Sequence, residues 1–265
     1  MRDKKKTEIT VGFASHFPES AERALKHMKD ADVILVEMPA KIIKELARGA
    51  PLHFLTEGTM NTEYEEAFLS GLKRKMEEGK IVKGYESVYD PGRWTKEEFN
   101  ELMESKRKAD IGLVRGDIAS FAENFAKFNK MREAKAVGWI KRNISMFNGK
   151  RVYIEAGASH TGLYHMLKKD LGSKGITVKP DFVDKSNYSR GILDKFAPSD
   201  QMARMIRFNT PSSKDPAMLA RLAQEDFGFR EIERRLKEEY RMRGLSRERA
   251  NEMAHFGALR KFRRR

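Results

Sequence analysis

Asp32-Val33-Ile34-Leu35-Val36-Glu37-Met38 is the stretch that decides the fold. Four consecutive aliphatic residues without polar alternation predict a strand buried on both faces, as in a parallel sheet covered by helices. A strand with one wet face would alternate. Pro39 opens a helix through residue 47, and Gly49 closes it. The run ends in Glu37, and a carboxylate at the carboxyl end of a buried strand is costly without a partner.

Outward from this stretch the pattern repeats. Strands are expected over 8–14, 80–86, 152–156 and 176–183. Helices are expected over 18–29, 62–78, 95–109, 117–146 (with a break) and 161–171. The helix at 95 starts with a capping box, Thr95 with Glu98. Strands alternating with helices predict an α/β fold: a mostly parallel sheet with helices on both faces. After residue 185 only short helices are expected, over 200–208, 215–226, 229–243 and 246–259, with Pro211 and Pro216 as breaks. The expected division is an α/β core at 1–185 and an all-helical, basic C-terminal appendage at 186–265.

Two stretches echo one another. An apolar run ends in Gly12-Phe13-Ala14-Ser15-His16, and Val152-Tyr153-Ile154-Glu155-Ala156 leads into Gly157-Ala158-Ser159-His160. Each reads as strand, glycine turn, Ser-His, helix. That puts His16 and His160 at strand carboxyl ends, where open α/β sheets bind ligands. With Glu37 they form a candidate site for a divalent metal that activates water. Glu86 also ends a strand and is a candidate ligand or general base; Glu155 is an alternative base, although strand alternation can turn it away. Ser159 is a poor nucleophile candidate, because Thr161 stands where the nucleophile elbow needs its second glycine. His160 and His165 are five apart, off a shared helix face, so His165 reads as a surface residue.

Composition narrows the classes. No cysteine is present, which excludes disulfides, thiolate metal sites and cysteine nucleophiles. Neither a P-loop nor a GxGxxG fingerprint follows any strand. No apolar stretch approaches the ~20 residues of a membrane helix, and no apolar core follows the charged first residues as in a signal peptide. High Lys, Arg and Glu without Cys suits a cytoplasmic protein, as from a thermophile. Formal net charge is +14; residues 230–265 hold thirteen Arg or Lys against six Asp or Glu, a net +7. Arg260, Lys261, Arg263, Arg264 and Arg265 surround Phe262, a composition suited to phosphate contacts and stacking on RNA or another polyanion.

The set Gly12…His16, Val36-Glu37, Arg132-Glu133 with Ala136-Val137, and Gly157-Ala158-Ser159-His160 followed by Gly162-Leu163 resembles the TraB/Tiki family and its wider ChaN and erythromycin-esterase-like relatives. The resemblance spans residues 8 to 185. The first motif holds three residues between Gly12 and His16, where the family has two. The resemblance implies an α/β fold and a pocket shared by both histidines, Glu37 and Arg132. In the Tiki branch it implies a metal-dependent peptidase. On that reading His16, Glu37 and His160 hold a divalent metal (Mn, Co or Zn). Arg132 anchors a substrate carboxylate or an oxyanion, Glu86 serves as base, and the substrate is a peptide or small molecule. The rival expectations are a non-enzymatic RNA- or ribosome-associated protein using the basic tail, and a family member whose pocket only binds a ligand.

Overall fold

A computed structural model describes residues 6–14, 18–56, 62–86, 93–157, 160–183, 216–246, 249–250, 253–254 and 257–258. His16, Ser159 and the basic cluster 260–265 lie outside them, as does the expected helix at 200–208. Five parallel strands form one sheet: β1 (Glu8–Ala14), β2 (Val33–Pro39), β3 (Ile81–Glu86), β4 (Arg151–Gly157) and β5 (Thr177–Phe182), in the spatial order β3-β2-β4-β1-β5. The expected α/β class holds, with every strand pair parallel.

Helices cover both faces, and the direction of each connection decides which. The helices α1 (Pro18–His27), α2 (Ala40–Ala47), α3 (Leu52–Leu55) and α4 (Thr62–Glu77) lie in the connections β1→β2 and β2→β3, which run toward the β3 edge. Ala21, Leu25, Ile43, Phe68 and Leu72 from α1, α2 and α4 pack with Ile34, Val36 and Val82 on the first face. The connections β3→β4 and β4→β5 run the opposite way. They carry α5 (Lys96–Arg115), α6 (Ile118–Arg142), a 3₁₀ turn (Ile144–Phe147) and α7 (Thr161–Gly172). From these, Ala136, Val137, Ile140, Phe147, Leu163 and Leu167 pack with Val33, Leu35, Ile154 and Phe13 on the second face. A constant right-handed crossover produces this split: reversing direction moves the helix to the other face. Each fully buried Phe, Leu or Ile in these layers contributes about 1.5–3 kcal/mol.

Three details differ from expectation. The glycine of the first echo is not in a turn. β1 runs through Gly12 to Ala14, and Gly12 is paired with both Glu155 and Asp181. A Cβ there would collide with the Tyr153 phenol, which crosses β1 to donate a hydrogen bond to Asp181 Oδ2 at 3.2 Å. α5 continues to Arg115, beyond the expected end at 109. The two helices expected at 215–226 and 229–243 are one, α8 (Pro216–Met242), running unbroken through Gly228.

By contacts the chain divides into two compact units. One comprises Met1–Thr95 and Met131–Ser186; the other comprises Lys96–Lys130 and Asn187–Arg265. The sheet unit therefore differs from a contiguous core at 1–185, because residues 96–130 group with the C-terminal helices. In that second unit Ile118, Ala122 and Ala126 of α6 pack with Leu222 of α8, and Phe229 and Leu236 of α8 pack with Ala254 and Ala258. Among the described residues no helix is long and apolar enough to cross a membrane.

Candidate functional site

The sheet has a point where neighbouring strands send the chain apart. β2 leaves toward the β3 edge over the first face, and its neighbour β4 leaves toward β5 over the second. Such a reversal leaves a crevice at the carboxyl ends, where ligands bind in open α/β sheets. Glu37 lies two residues before the end of β2 at this crevice, and Gly157 ends β4.

Local backbone geometry presents Glu37. The β2–β3 register shifts between Val36, opposite Gly84, and Pro39, opposite Glu86, so β2 carries an irregularity at Glu37–Met38. Bulges of this kind re-aim side chains beside functional sites. Gly84 permits it, since a Cβ at that position would run into the Met38 carbonyl. His160 is the residue before α7, and its N–H donates to the Gly157 carbonyl at 2.9 Å. The imidazole does not cap that helix and is free to point inward.

Four side chains from three elements meet. The Glu37 carboxylate accepts a hydrogen bond from Arg132 Nη2 on Oε1 at 2.6 Å and one from the Gly157 N–H on Oε2 at 2.8 Å, and His160 Nε2 lies 2.9 Å from Oε1. On the far side of the ring, His160 Nδ1 is 3.2 Å from Glu133 Oε1. Glu133 is 1% exposed and His160 6%. Tyr85, Ala136 and Leu163 complete the walls of this cleft. Both ring nitrogens of His160 face carboxylates, and a neutral imidazole has only one N–H. Burying this much charge costs several kcal/mol per ion before pairing returns any of it.

A second carboxylate group sits on the other face. Glu155 alternates with Ile154 and Ala156, and its side chain turns away from His160. Its Oε1 accepts from the Tyr64 hydroxyl at 3.5 Å, and its Oε2 accepts from the Glu37 N–H at 3.2 Å. Burial, with Glu155 and Glu37 nearby, pushes the Tyr64 hydroxyl well above its usual value. Burial and Asp181 do the same to Tyr153.

Of the expected site residues, Glu37, His160 and Arg132 are brought together. His16 lies outside the described residues; β1 ends two positions before it, at Ala14, beside Gly157. Glu86 ends β3 in register with Pro39, and its side chain lies outside the description. Glu133 was visible in the sequence only as the neighbour of Arg132; nothing in a charged helix marks which carboxylate is buried. His165 is exposed. Among the described residues, no three His, Cys, Asp or Glu side chains are placed to hold a metal ion. The Glu37 carboxylate and the His160 Nε2 nonetheless form a mixed O/N pair of the type that Mn, Co and Zn accept. Glu133 stands behind the imidazole, where an orienting carboxylate stands in histidine metal sites. No family model, curated protein or solved structure matches the chain.

Proposed function

We propose that this chain is a metal-dependent hydrolase of the TraB/Tiki type, acting on a peptide or small-molecule substrate in the β2–β4 crevice. The observation that carries the reading is the meeting of part-buried Glu37 and Arg132 with buried His160 and Glu133 at the strand ends where the sheet changes direction. Glu37 and His160 would hold the ion, with His16 as the third donor. A bound divalent ion would supply Lewis acidity toward water and a substrate carbonyl. Glu133 holds the His160 ring through Nδ1, which leaves Nε2 directed at the crevice. Arg132 directs the Glu37 carboxylate through its 2.6 Å contact, and would offer its guanidinium to a substrate carboxylate or a developing oxyanion. Glu86, at the neighbouring strand end, would take the proton from water.

The test strips the protein with a chelator, reloads it with Mn²⁺, Co²⁺ or Zn²⁺, and counts bound metal while assaying a fluorogenic peptide pool. Bound metal with cleavage that returns on reloading, both lost in H160A and E37Q, is the expected result. A protein that neither retains an ion nor cleaves any peptide overturns the reading.

Charge distribution supports a second activity beside the first, binding of RNA or another polyanion. Helix α8 carries six Arg or Lys and six Asp or Glu, so it contributes no net charge. The final six residues hold five cations and one phenylalanine. Arg260, Lys261, Arg263, Arg264 and Arg265 would neutralise about four phosphates, giving a log–log salt slope of about −3 to −4. Deleting residues 260–265 should weaken RNA binding and flatten that slope. Unchanged affinity after the deletion removes the tail from consideration.

A further inference from the structure

The ladder between β2 and β4 stops early and side chains finish it. Backbone pairing runs from Val33 opposite Val152 to Leu35 opposite Ile154 and goes no further. Beyond it the two strands exchange carboxylates. The Glu37 N–H donates to Glu155 Oε2, and the Gly157 N–H donates to Glu37 Oε2. Each carboxylate takes the place of the carbonyl that a continued ladder would supply. A carboxylate bridge is longer than a direct N–H···O=C bond, so the strands diverge here and the crevice opens. The same backbone at Glu37 lies within the irregularity facing β3, so regular pairing fixes it on neither side.

We infer that Glu155 is a positioning residue: from the opposite face of the sheet it fixes the Glu37 backbone, and thereby the direction in which the Glu37 carboxylate meets His160 and Arg132. Glu155 is 3% exposed, and a buried carboxylate is a poor choice for packing alone. Its two oxygens divide the work: Oε1 is anchored on α4 through Tyr64, and Oε2 holds the N–H of Glu37. The contact is an acceptor role. A glutamine can fill it, with its oxygen toward the Glu37 N–H and its NH₂ toward the Tyr64 hydroxyl, which is able to accept. A shortened carboxylate cannot, because the loss of one methylene withdraws it from the N–H.

The functional weight of this inference rests on the hydrolase reading; its geometric content does not, and the experiment separates the two. E155Q, E155D and E155A are compared with the unaltered chain in three measurements: urea midpoint, ¹⁵N shifts of the His160 ring with the amide signals of Glu37 and Gly157, and Zn²⁺ and Mn²⁺ affinity by calorimetry. In E155D and E155A the His160 and Gly157 signals should move, and metal affinity should fall about 10- to 100-fold, the usual loss when an outer partner of a ligand is removed. E155Q should keep both close to those of the unaltered chain. If E155A fails to fold, the contrast between E155D and E155Q decides. Signals and affinity retained in E155D and lost in E155Q would overturn the inference in favour of a charge effect. Signals unchanged in all variants, with only the urea midpoint lowered, would overturn it in favour of simple core packing. An unaltered chain that binds neither metal defeats the metal reading alone, and the ¹⁵N shifts then still decide the role of Glu155.

Discussion

Helix α8 and the β2–β4 crevice are built from the same side chains in different settings. On α8, Arg234 pairs with Glu231 and Glu238, and Arg235 with Glu231, all within one turn and all exposed. Arg234 and Arg235 hold the Glu231 carboxyl down at about 2. Such pairs form wherever a helix spaces opposite charges three or four apart, and solvent screens them. In the crevice, Arg132 and His160 reach Glu37 across 95 and 123 residues of chain, and the partners are largely buried. Local spacing did not make that cluster; the topology did. A fold that needed only stability would fill the position with apolar side chains, since a buried charge cluster seldom stabilises more than they would. The contrast separates charge pairs made by helix spacing from a cluster that only the fold assembles.

The largest expected effect comes from breaking the part-buried Arg132–Glu37 pair. R132A leaves Glu37 short of its cation and should lower unfolding free energy by about 3–5 kcal/mol in urea titrations. Stability close to that of the unaltered chain would place the crevice pair in the same class as those of α8. G84A comes next. The added Cβ meets backbone at Met38, which cannot rotate aside as a side chain can, so a loss of about 1–3 kcal/mol is expected. On the proposed metal-site reading it should also weaken Zn²⁺ binding, because the irregularity that directs Glu37 must shift; stability lost without any change in binding would separate the bulge from the site.

A subtler effect appears at high pH. Below about pH 10 folded and unfolded chains both retain the Tyr64 and Tyr153 protons. Above it the unfolded chain releases them while burial keeps them on the folded one, so stability falls as pH rises. Each tyrosine contributes about 1.4 kcal/mol per pH unit to that decline. Y64F should remove one such increment from the slope measured by urea unfolding above pH 10, and an unchanged slope would mean that Tyr64 ionises in place. The smallest effect belongs to α8, where R234A should move the urea midpoint by no more than its measurement error. A clear shift there would erase the distinction between the two regions.

The centre of the sheet was legible because β1, β2 and β4 hold apolar runs that stop at glycine or glutamate, a mark that parallel burial leaves in a sequence. Glu37 and His160 were legible for the same reason, as polar residues placed where apolar runs stop. Arg132 needed the family resemblance to stand out, and Glu133 had no mark of its own: both sit on a helix face crowded with charge, and only the fold chooses which of them is buried. Gly12 was read as a turn glycine; its role is steric, and it depends on Tyr153 from a strand more than a hundred residues away. The continuity of α8 was hidden by Gly228, whose cost of about 1 kcal/mol is offset by the full burial of its neighbour Phe229. The grouping of residues 96–130 with the C-terminal helices rests on contacts between distant segments, which periodicity does not report.

The strand order also dictates when the sheet can form. β1 and β2 are successive in the chain, yet β4 lies between them, and the neighbours of β1 are β4 and β5. Glu8 meets its partner Arg151 only after more than 140 residues have been made. As the polypeptide leaves the ribosome, β2 and β3 have each other while Val11 and Phe13 of β1 have no strand to join. Pairing at such separation carries a loop-closure cost that slows folding and leaves apolar edges open to aggregation in the interval. β4 is thus the keystone in time as well as in space. Pulse-labelled hydrogen exchange should find the β1 and β4 amides protected in one and the same late phase, after those of β2 and β3.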